Sequence, residues 1–249
     1  MVKPQDTTQV SISDDGANIP LNLPQNSKSH APEPPTMILY AGGLLGMLVA
    51  FVRRSYAAIK RIMDVAGAGF GMIVFSPIFL LVAFLVKLTS KGPVFYKQTR
   101  VGRNGVNFEI YKFRTMKTDA ETKSGPVWAR ANDNRLTPIG GFLRKAHLDE
   151  IPQFINVLKG EMSLIGPRPE RPVFVEQFRQ QICDYEKRLY VKPGITGLAQ
   201  VYHRYDQTIE DVKKKIKYDV LYIKRMCLWT DLLIAFRTVR VILTGEGAC

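Results

Sequence analysis

The sequence from Val65 to Val86 reads VAGAGFGMIVFSPIFLLVAFLV, a run of 22 residues without a charged side chain. Its length is sufficient for one helical crossing of the hydrocarbon core of a bilayer. Basic residues flank the run on both sides, with Lys60 and Arg61 before it and Lys87 directly after it. Because lysine and arginine accumulate on the cytoplasmic side of a membrane, both ends of the run are expected on the same face.

Ser76 and Pro77 stand in the middle of this run. Proline has no amide hydrogen and its ring collides with the preceding turn, so a helix breaks or bends there. A helix that enters the bilayer, breaks at this position and returns agrees with both the break and the basic ends. We therefore predict a re-entrant membrane helix over residues 65–86. An ordinary kinked transmembrane helix is the alternative.

Two further segments precede the run. Residues 1–36 are rich in proline, serine, asparagine, glutamine and aspartate, so they bury too little apolar surface to offset the entropy of ordering. We predict a disordered N-terminal tail there. Residues 37–54 contain an uncharged stretch, Met37 to Val52, followed by two arginines. We predict that this segment is membrane-associated, either as a short span or as an interfacial helix.

Positive charge dominates the 249-residue chain, whose net charge is +13. A charge of this size favours anionic partners: phosphorylated substrates, an anionic membrane or nucleic acid. No helix-turn-helix, zinc or RNA-binding signature is present, which argues against nucleic acid. The three cysteines, Cys183, Cys227 and Cys249, show no metal-binding spacing, and we expect free thiols.

Beyond the apolar run, the sequence predicts an α/β domain that is small and mainly helical. Two strands, over 94–96 and 108–113, flank the turn signal Asn104-Gly105. Apolar residues at spacings of three and four predict helices over 139–144, 153–158, 173–189, 208–226 and 228–243. The last helix is amphipathic and is expected either in the headgroup layer or on the core.

The block LDEIPQ at residues 148–153 places two adjacent carboxylates, Asp149 and Glu150, at the start of a predicted helix. One explanation is structural, because an acid at a helix N-terminus caps free amide groups and gains from the helix dipole. The other explanation is chemical. A carboxylate can attack phosphorus to give an acyl phosphate, and Mg²⁺ commonly binds one or two carboxylates together with substrate phosphates. Both acids are therefore candidate catalytic residues and candidate Mg²⁺ ligands.

Basic side chains near these acids in the sequence are candidates for phosphate binding. They are Lys112, Arg114, Arg144, Arg168 and Lys192. Arg168 belongs to the rigid loop GPRP, and its planar guanidinium can bind phosphate with two parallel hydrogen bonds. Lys112 and Arg114 alternate with apolar residues, so we expect them on one face of a strand. A solvated surface position is the alternative for these basic residues.

The motifs taken together resemble the bacterial sugar transferases, also called monotopic phosphoglycosyl transferases. The resemblance runs from about residue 60 to the C-terminus. Its six motifs are KR with D at 60–64, SP at 76–77, KFRTM at 112–116, LDEIPQ at 148–153, GPRP at 166–169 and KPGITGLAQV at 192–201. The chain departs from the family pattern at Lys192, where arginine is common, and at residues 203–206, where Gly-Arg-Asn is common.

The resemblance implies an enzyme seated on the bacterial inner membrane, with its active site facing the cytoplasm. Asp149 is expected to attack the sugar-bearing phosphate of a UDP-sugar, release UMP, and pass the sugar phosphate to undecaprenyl phosphate. Glu150 is expected to be its partner near Mg²⁺. Lys112, Arg144 and Arg168 match basic positions that contact phosphate. Interfacial amphipathic helices and inner-membrane lipids are implied as well, and nucleic acid is not.

The implied role is initiation of exopolysaccharide, capsule or O-antigen assembly. Two other hypotheses fit parts of the sequence: a nucleic-acid or membrane-surface binding protein, from the basic charge, and a non-catalytic scaffold in polysaccharide assembly. The sequence leaves open the sugar, the polymer, a homodimer, and whether residues 37–52 span the bilayer.

Overall fold

The computed structural model describes residues 43–118, 120, 134–203 and 208–244, and for 43–54 and 243 the backbone alone. The predicted tail and the start of the segment 37–54 lie outside the described residues. The helices are α1 (Gly43–Val74), α2 (Ser76–Thr89), α3 (Gly140–Lys145), α4 (Gln153–Lys159), α5 (Pro172–Gln181), α6 (Leu198–Tyr202), α7 (Ile209–Lys224) and α8 (Leu228–Thr244). The strands are β1 (Phe95–Val101), β2 (Asn107–Phe113), β3 (Ser163–Ile165) and β4 (Gly194–Thr196). The prediction of a mainly helical chain with little sheet is confirmed.

The apolar run forms two helices that meet at Phe75. The part of α1 from Ser55 onward and α2 are bent by 62° relative to each other. The Ser76 hydroxyl donates a hydrogen bond to the carbonyl oxygen of Ile73 at 2.8 Å. That carbonyl lies four residues before Pro77, so it is the one that the missing proline amide leaves without a helical donor. The predicted helix break is confirmed, and a neighbouring side chain supplies the hydrogen bond that the proline cannot donate.

Among the described residues, no single helix combines the length and the apolar composition needed to cross a membrane, whereas this bent pair meets both criteria when taken together. Large apolar side chains lie exposed on the pair. They include Phe70, Ile73, Leu80, Leu81, Phe84 and Leu88. An exposed apolar surface of this extent marks a contact with lipid or with another protein.

α1 packs closely against the segment that follows the acid pair. A Cβ atom on Gly67 would lie 2.6 Å from Leu164 Cδ1, and one on Gly71 would lie 2.9 Å from the Phe154 ring. The guanidinium of Arg61 donates to two carbonyl groups in the last turn of α4, at 2.6 and 2.9 Å. Gly71 and Arg61 therefore pack α1 against α4, and Gly67 packs it against β3.

β1 and β2 form an antiparallel hairpin that runs from Phe95 opposite Phe113 to Val101 opposite Asn107. Its turn contains Asn104, with a φ of 56°, a left-handed conformation that asparagine tolerates better than most residues. The predicted hairpin is confirmed, but its first strand covers 95–101 and not 94–96. Most side chains of β1 are exposed, so the strand lacks the apolar alternation by which strands are recognised.

The helical predictions are confirmed in place for α3, α4, α7 and α8, and the prediction of one helix over 173–189 is wrong. That segment consists of α5 and a separate 3₁₀ turn, Tyr185–Tyr190. Ile182 is extended, with a φ of −125°, and ends α5, and Asp184, with a φ of 66°, directly precedes the 3₁₀ turn. Phe178 and Tyr185 pack together across the break, with ring centroids 5.7 Å apart. Apolar residues thus continue through the break, which explains the misleading periodicity.

β3 and β4 pair in parallel and bring together two motifs that are distant in sequence. Ser163 lies opposite Gly194, and the Gly194 amide donates to the Pro167 carbonyl at 2.9 Å. A Cβ atom on Gly194 would lie 2.1 Å from the Gly166 nitrogen, so only glycine permits this approach. The GPRP and KPGITG loops therefore lie side by side.

Candidate active site

Asp149 and Glu150 lie on a short 3₁₀ turn, Leu148–Glu150, which precedes α4. α4 begins only at Gln153, with Pro152 at its N-cap and no side-chain cap. The structural explanation, in which Asp149 caps a helix, is therefore wrong. The acids do not open the helix as predicted, because one further turn separates them from it.

Glu150 is bound by two cations. Lys112 Nζ donates to Oε1 at 2.7 Å, Arg168 Nη1 donates to Oε2 at 3.2 Å, and Arg168 Nη2 makes a short contact with Oε1. Burial raises the pKa of Glu150, but Arg168 and Lys112 lower it more strongly, so this pKa lies well below its ordinary value. Glu150 is therefore a permanent negative charge with both oxygens engaged.

Asp149 has a different environment, although it is the adjacent residue. Its side chain is nearly buried, and the cation nearest to it among the described ion pairs, Lys112 Nζ, is 4.0 Å from Oδ2, beyond hydrogen-bonding distance. Burial raises the pKa of Asp149 above its ordinary value, and the negative Glu150 adds to this effect, while Lys112, Arg144 and Arg168 oppose it. Two acids whose pKa values are pushed apart are suited to different roles, and Asp149 is the one with a carboxylate available for reaction.

Three of the five predicted phosphate-binding residues surround the acid pair: Lys112, Arg144 and Arg168. Arg144, in the last turn of α3, donates from Nε to the Thr115 hydroxyl at 2.9 Å, and its charge acts on Asp149. Positive charge thus reaches the pair from β2, α3 and the GPRP loop. Such a cluster is suited to bind the phosphates of a nucleotide substrate.

Arg114 lies away from this cluster. β2 ends at Phe113, and the Arg114 amide donates to the Val94 carbonyl at 2.9 Å just beyond the strand. Arg114 is buried, and its guanidinium donates to the carbonyl groups of Ser90 and Lys91, at 2.8 and 2.7 Å. Its guanidinium therefore fixes the exit from the helix pair, and phosphate binding by Arg114 stays a prediction.

Lys192 also lies in another environment. It neighbours Arg61, and burial together with the charge of Arg61 lowers the pKa of Lys192. A Cβ atom on Gly160, at the end of α4, would lie 3.6 Å from Lys192 Nζ and 3.5 Å from the Arg61 guanidinium. Phosphate binding by Lys192 stays a prediction, without a contact to the acid pair among the described residues.

The described part of the chain contains no group of three or more histidine, cysteine, aspartate or glutamate side chains that could hold a metal ion by themselves. Both oxygens of Glu150 already accept hydrogen bonds from cations, whereas the carboxylate of Asp149 is available. This donor set fits Mg²⁺ bound by one carboxylate together with substrate phosphates and water.

Two arginines that sequence reasoning missed hold the loop that carries Arg168. Arg188 and Arg100 donate to the carbonyl groups of Arg168 and Pro169. Arg188 was hidden because it fell within a predicted helix, where a charged residue suggests a solvated face. No spacing rule links these two positions to the GPRP motif.

Residues 55–245 match the family model of the bacterial sugar transferases. The chain therefore belongs to the bacterial sugar transferase family, and the resemblance predicted from its motifs is confirmed.

Three relatives illustrate the range of similarity. The UDP-N-acetylgalactosamine-undecaprenyl-phosphate N-acetylgalactosaminephosphotransferase of Aeromonas hydrophila is 50% identical over 193 residues, which cover 78% of this chain and 45% of the relative. The UDP-glucose:undecaprenyl-phosphate glucose-1-phosphate transferase of Klebsiella pneumoniae is 46% identical over 182 residues, covering 72% and 39%. The transferase of the same name from Caulobacter vibrioides is 42% identical over 193 residues, covering 76% and 71%. The chain spans less than half the length of the first two relatives.

Proposed function

We propose that this chain is a phosphoglycosyl transferase that moves a sugar 1-phosphate from a UDP-sugar to undecaprenyl phosphate and releases UMP. The observation that carries the proposal is the difference between the two adjacent acids. Both oxygens of Glu150 accept hydrogen bonds from cations, whereas the Asp149 carboxylate beside them has no such bond among the described residues and is available for reaction. The relatives are named for sugar-phosphate transfer to undecaprenyl phosphate, which supports this choice of donor and acceptor. The corresponding role is initiation of exopolysaccharide, capsule or O-antigen assembly.

In the first step, a carboxylate oxygen of Asp149 attacks the phosphorus that bears the sugar. A bond forms between that oxygen and phosphorus while the bond to the bridging oxygen breaks, and UMP leaves with the electron pair. Lys112 and Arg168 stabilise the charge that builds up on the phosphate oxygens. Asp149, together with the substrate diphosphate, would hold Mg²⁺, which would supply positive charge that stabilises the leaving group.

In the second step, a phosphate oxygen of undecaprenyl phosphate attacks the same phosphorus. The bond to Asp149 breaks, the aspartate leaves as a carboxylate, and the product is an undecaprenyl diphosphate sugar. Glu150 does not form the covalent bond, because both of its oxygens accept hydrogen bonds from Lys112 and Arg168. Its contribution is to hold these cations in place through both steps.

The membrane proposal rests on two apolar surfaces. The bent pair α1–α2 is proposed to be a re-entrant membrane helix, since it has basic ends, a 62° bend and exposed apolar side chains. α8 is proposed to lie in the headgroup layer, with an exposed apolar face formed by Trp229, Leu232, Leu233, Phe236, Val239 and Ile242. The active site is then on the cytoplasmic face of the inner membrane, where UDP-sugars and undecaprenyl phosphate both have access.

The test is UMP release by the purified protein with a panel of UDP-sugars, undecaprenyl phosphate and Mg²⁺. Asp149→Asn is expected to lower the rate by at least about a thousandfold, because the amide is a poor nucleophile. Asp184→Asn, at an exposed aspartate paired with Lys187, is the matched control and is expected to stay active. With a labelled UDP-sugar and no acceptor, the sugar phosphate is expected on Asp149 by peptide mass analysis.

Full activity of Asp149→Asn, or a sugar phosphate on another residue, would reject the assignment of the nucleophile. Absence of UMP release with every UDP-sugar would instead favour the non-catalytic scaffold.

A further inference from the structure

The backbone of the loop that carries Arg168 is held by two further arginines. Arg188 Nη2 donates to the Arg168 carbonyl oxygen at 2.6 Å, and Arg100 Nη1 donates to the Pro169 carbonyl oxygen at 3.1 Å. Hydrogen bonds from a charged donor are stronger than neutral ones. The backbone of Arg168 is thus fixed by a second arginine while its side chain binds Glu150.

Arg188 is itself held in a fixed orientation. Its side chain and that of Asp219 are each 2% exposed, with Arg188 Nη2 3.0 Å from Asp219 Oδ2. Arg188 Nη1 donates to the Tyr185 hydroxyl at 3.1 Å. A buried ion pair is often no more stable than an apolar pair of similar size. The contribution of this pair is therefore the orientation that it gives to the Arg188 guanidinium, which donates to the Arg168 carbonyl.

Glu170 anchors the other end of the same loop. Its Oε1 accepts a hydrogen bond from Lys215 Nζ at 2.7 Å and lies 3.9 Å from Arg188 Nη1, and its Oε2 lies 3.8 Å from Arg100 Nη1. Both arginines that bind the loop carbonyls therefore also face a carboxylate that belongs to the loop. The loop and its two arginines form one connected unit.

We propose that Arg188 is a positioning residue: through the Arg168 carbonyl it directs the Arg168 guanidinium toward Glu150 and the substrate phosphate. The inference rests on the proposed function, because the direction of Arg168 affects the rate only if the site handles phosphate. Displacement of a phosphate-binding group by about 1 Å can lower a rate by about a hundredfold, so a residue behind the site can control it.

The first test is a kinetic double-mutant cycle. Arg188→Lys keeps the positive charge but loses the planar fork that reaches Asp219, Tyr185 and the loop together. UMP release is expected to fall about tenfold or more in kcat, with a much smaller change in KM for the UDP-sugar. If Arg188 acts through Arg168, the double variant Arg188→Lys/Arg168→Lys is no slower than Arg168→Lys alone. If the reductions in kcat of the two single variants multiply in the double variant, the proposal is overturned.

The matched control is Arg179→Lys on α5. Arg179 lies 3.2 Å from Glu186 and 3.8 Å from Glu176 in surface ion pairs, so the same substitution is made without contact to the loop. It is expected to leave kcat within about twofold of the unaltered chain. A loss equal to that of Arg188→Lys would overturn the proposal, because the effect would then be general to this region.

The second test is hydrogen–deuterium exchange of the Gly194 and Val101 amides, which donate to the loop carbonyl groups of Pro167 and Glu170, each at 2.9 Å. This readout does not depend on activity. Exchange is expected to rise in Arg188→Lys and not in Arg179→Lys. Unchanged exchange in Arg188→Lys would overturn the proposal even in an active enzyme. If the unaltered chain releases no UMP, the proposed function fails, whereas the exchange result still decides whether Arg188 holds the loop.

A further variant covers the case in which Arg188→Lys does not fold. Arg100→Lys changes a side chain that is 19% exposed and that binds the neighbouring Pro169 carbonyl. It is expected to give a smaller loss in kcat that again disappears in the Arg168→Lys background. A loss that persists in that background would contradict the proposal.

Discussion

At the scale of single residues, the central feature is that Asp149 and Glu150 are neighbours with opposite electrostatics. Burial affects both acids, and the difference comes from the cations. Arg168 and Lys112 bind Glu150 directly and hold its pKa well below the ordinary value, whereas no cation lies within 3.5 Å of Asp149 among the described ion pairs, and its pKa is raised by burial. The two roles in the proposed mechanism follow from this difference.

Lys112→Met should move the acid limb of the pH–rate profile to higher pH. Attack requires ionised Asp149, whose raised pKa means that activity falls as pH decreases through it. Lys112 is one of three cations, with Arg144 and Arg168, that oppose this rise. Its removal is expected to raise the pKa of Asp149 further and to lower the rate at neutral pH. UMP release measured across the pH range checks this.

The control for this prediction is Lys97→Met, which removes an exposed lysine paired with Glu109 on the same hairpin. It is expected to leave the acid limb in place. If the acid limb of the pH–rate profile stays in place in Lys112→Met, ionisation of Asp149 does not determine that limb.

At the scale of elements, two residues are sufficient to break the apolar run. Pro77 removes the donor that the Ile73 carbonyl requires, and the Ser76 hydroxyl replaces it at 2.8 Å. In an apolar environment an unpaired carbonyl is costly, so this replacement is what makes a bend tolerable there. The bend direction is then set by packing of α1 on α4.

Thiol labelling can distinguish the re-entrant helix from a crossing helix. Cys183 and Cys227 are free and exposed, as expected, and are first replaced by serine together with Cys249, which lies outside the described residues. Ala58→Cys and Lys91→Cys, each introduced singly, are then expected to react with a membrane-impermeant maleimide from the cytoplasmic side only. Reaction of these two positions from opposite sides would contradict the re-entrant topology.

The combined change Ser76→Ala/Pro77→Ala restores the backbone donor, so the run is expected to straighten into one helix. The cytoplasmic labelling of Lys91→Cys should then be lost, while that of Ala58→Cys is kept. Retention of both reactions would show that packing, and not the local sequence, sets the bend.

At the scale of the whole molecule, buried charges connect distant parts of the chain. Lys215 and Asp219 project from one face of α7, and they bind Glu170 and Arg188, respectively. The side chain of Glu170 is only 17% exposed, yet the surrounding cations hold its pKa at about 2. α7 is thereby bound to the loop next to the active site.

Glu170→Gln is expected to lower the free energy of unfolding in a pH-dependent way. The pKa of Glu170 is about 2 in the folded chain against an ordinary value of 4.5, so its ionised form stabilises the fold above about pH 4.5 and this stabilisation is lost as pH falls toward 2. The loss in Glu170→Gln is expected to be about 3 kcal/mol at pH 7 and clearly smaller near pH 3. Denaturant unfolding in detergent micelles measures both values.

Glu176→Gln, at an exposed glutamate near Arg179, serves as the control and is expected to change stability by less than about 0.5 kcal/mol. If Glu170→Gln lowers the free energy of unfolding equally at pH 7 and near pH 3, the ionised form of Glu170 does not stabilise the fold in the way proposed.

The outer face of α8 can be tested by its contact with lipid. Trp229 and Phe236 are 68% and 74% exposed, and Trp229→Ser/Phe236→Ser removes apolar area whose burial in the headgroup layer contributes about 3 kcal/mol. The KM for undecaprenyl phosphate in vesicles is expected to rise, with little change in detergent solution. Val173→Ser, at an exposed apolar residue on α5, is the control. An unchanged KM in vesicles would place α8 outside the headgroup layer.

The sequence by itself determined the features that depend on neighbouring residues. The break at Ser76-Pro77 follows from one missing amide hydrogen, the hairpin turn follows from the backbone freedom of Asn104-Gly105, and the acid pair was evident from its motif. Family membership could also be predicted from the sequence, because six short motifs in a fixed order are a strong signal even without a structure.

The tertiary structure alone decided how the charges are paired. Lys112 and Arg114 belong to one motif, yet Lys112 binds Glu150 whereas Arg114 binds carbonyl groups at the end of α2. Arg188 falls within the helix that was predicted over 173–189, and instead it holds the Arg168 loop. These partners are separated by about 20 to 40 residues, and a charge selects its partner by distance in space. Sequence spacing specifies direction only within one helix or strand, so it contains no information on which cation meets which acid.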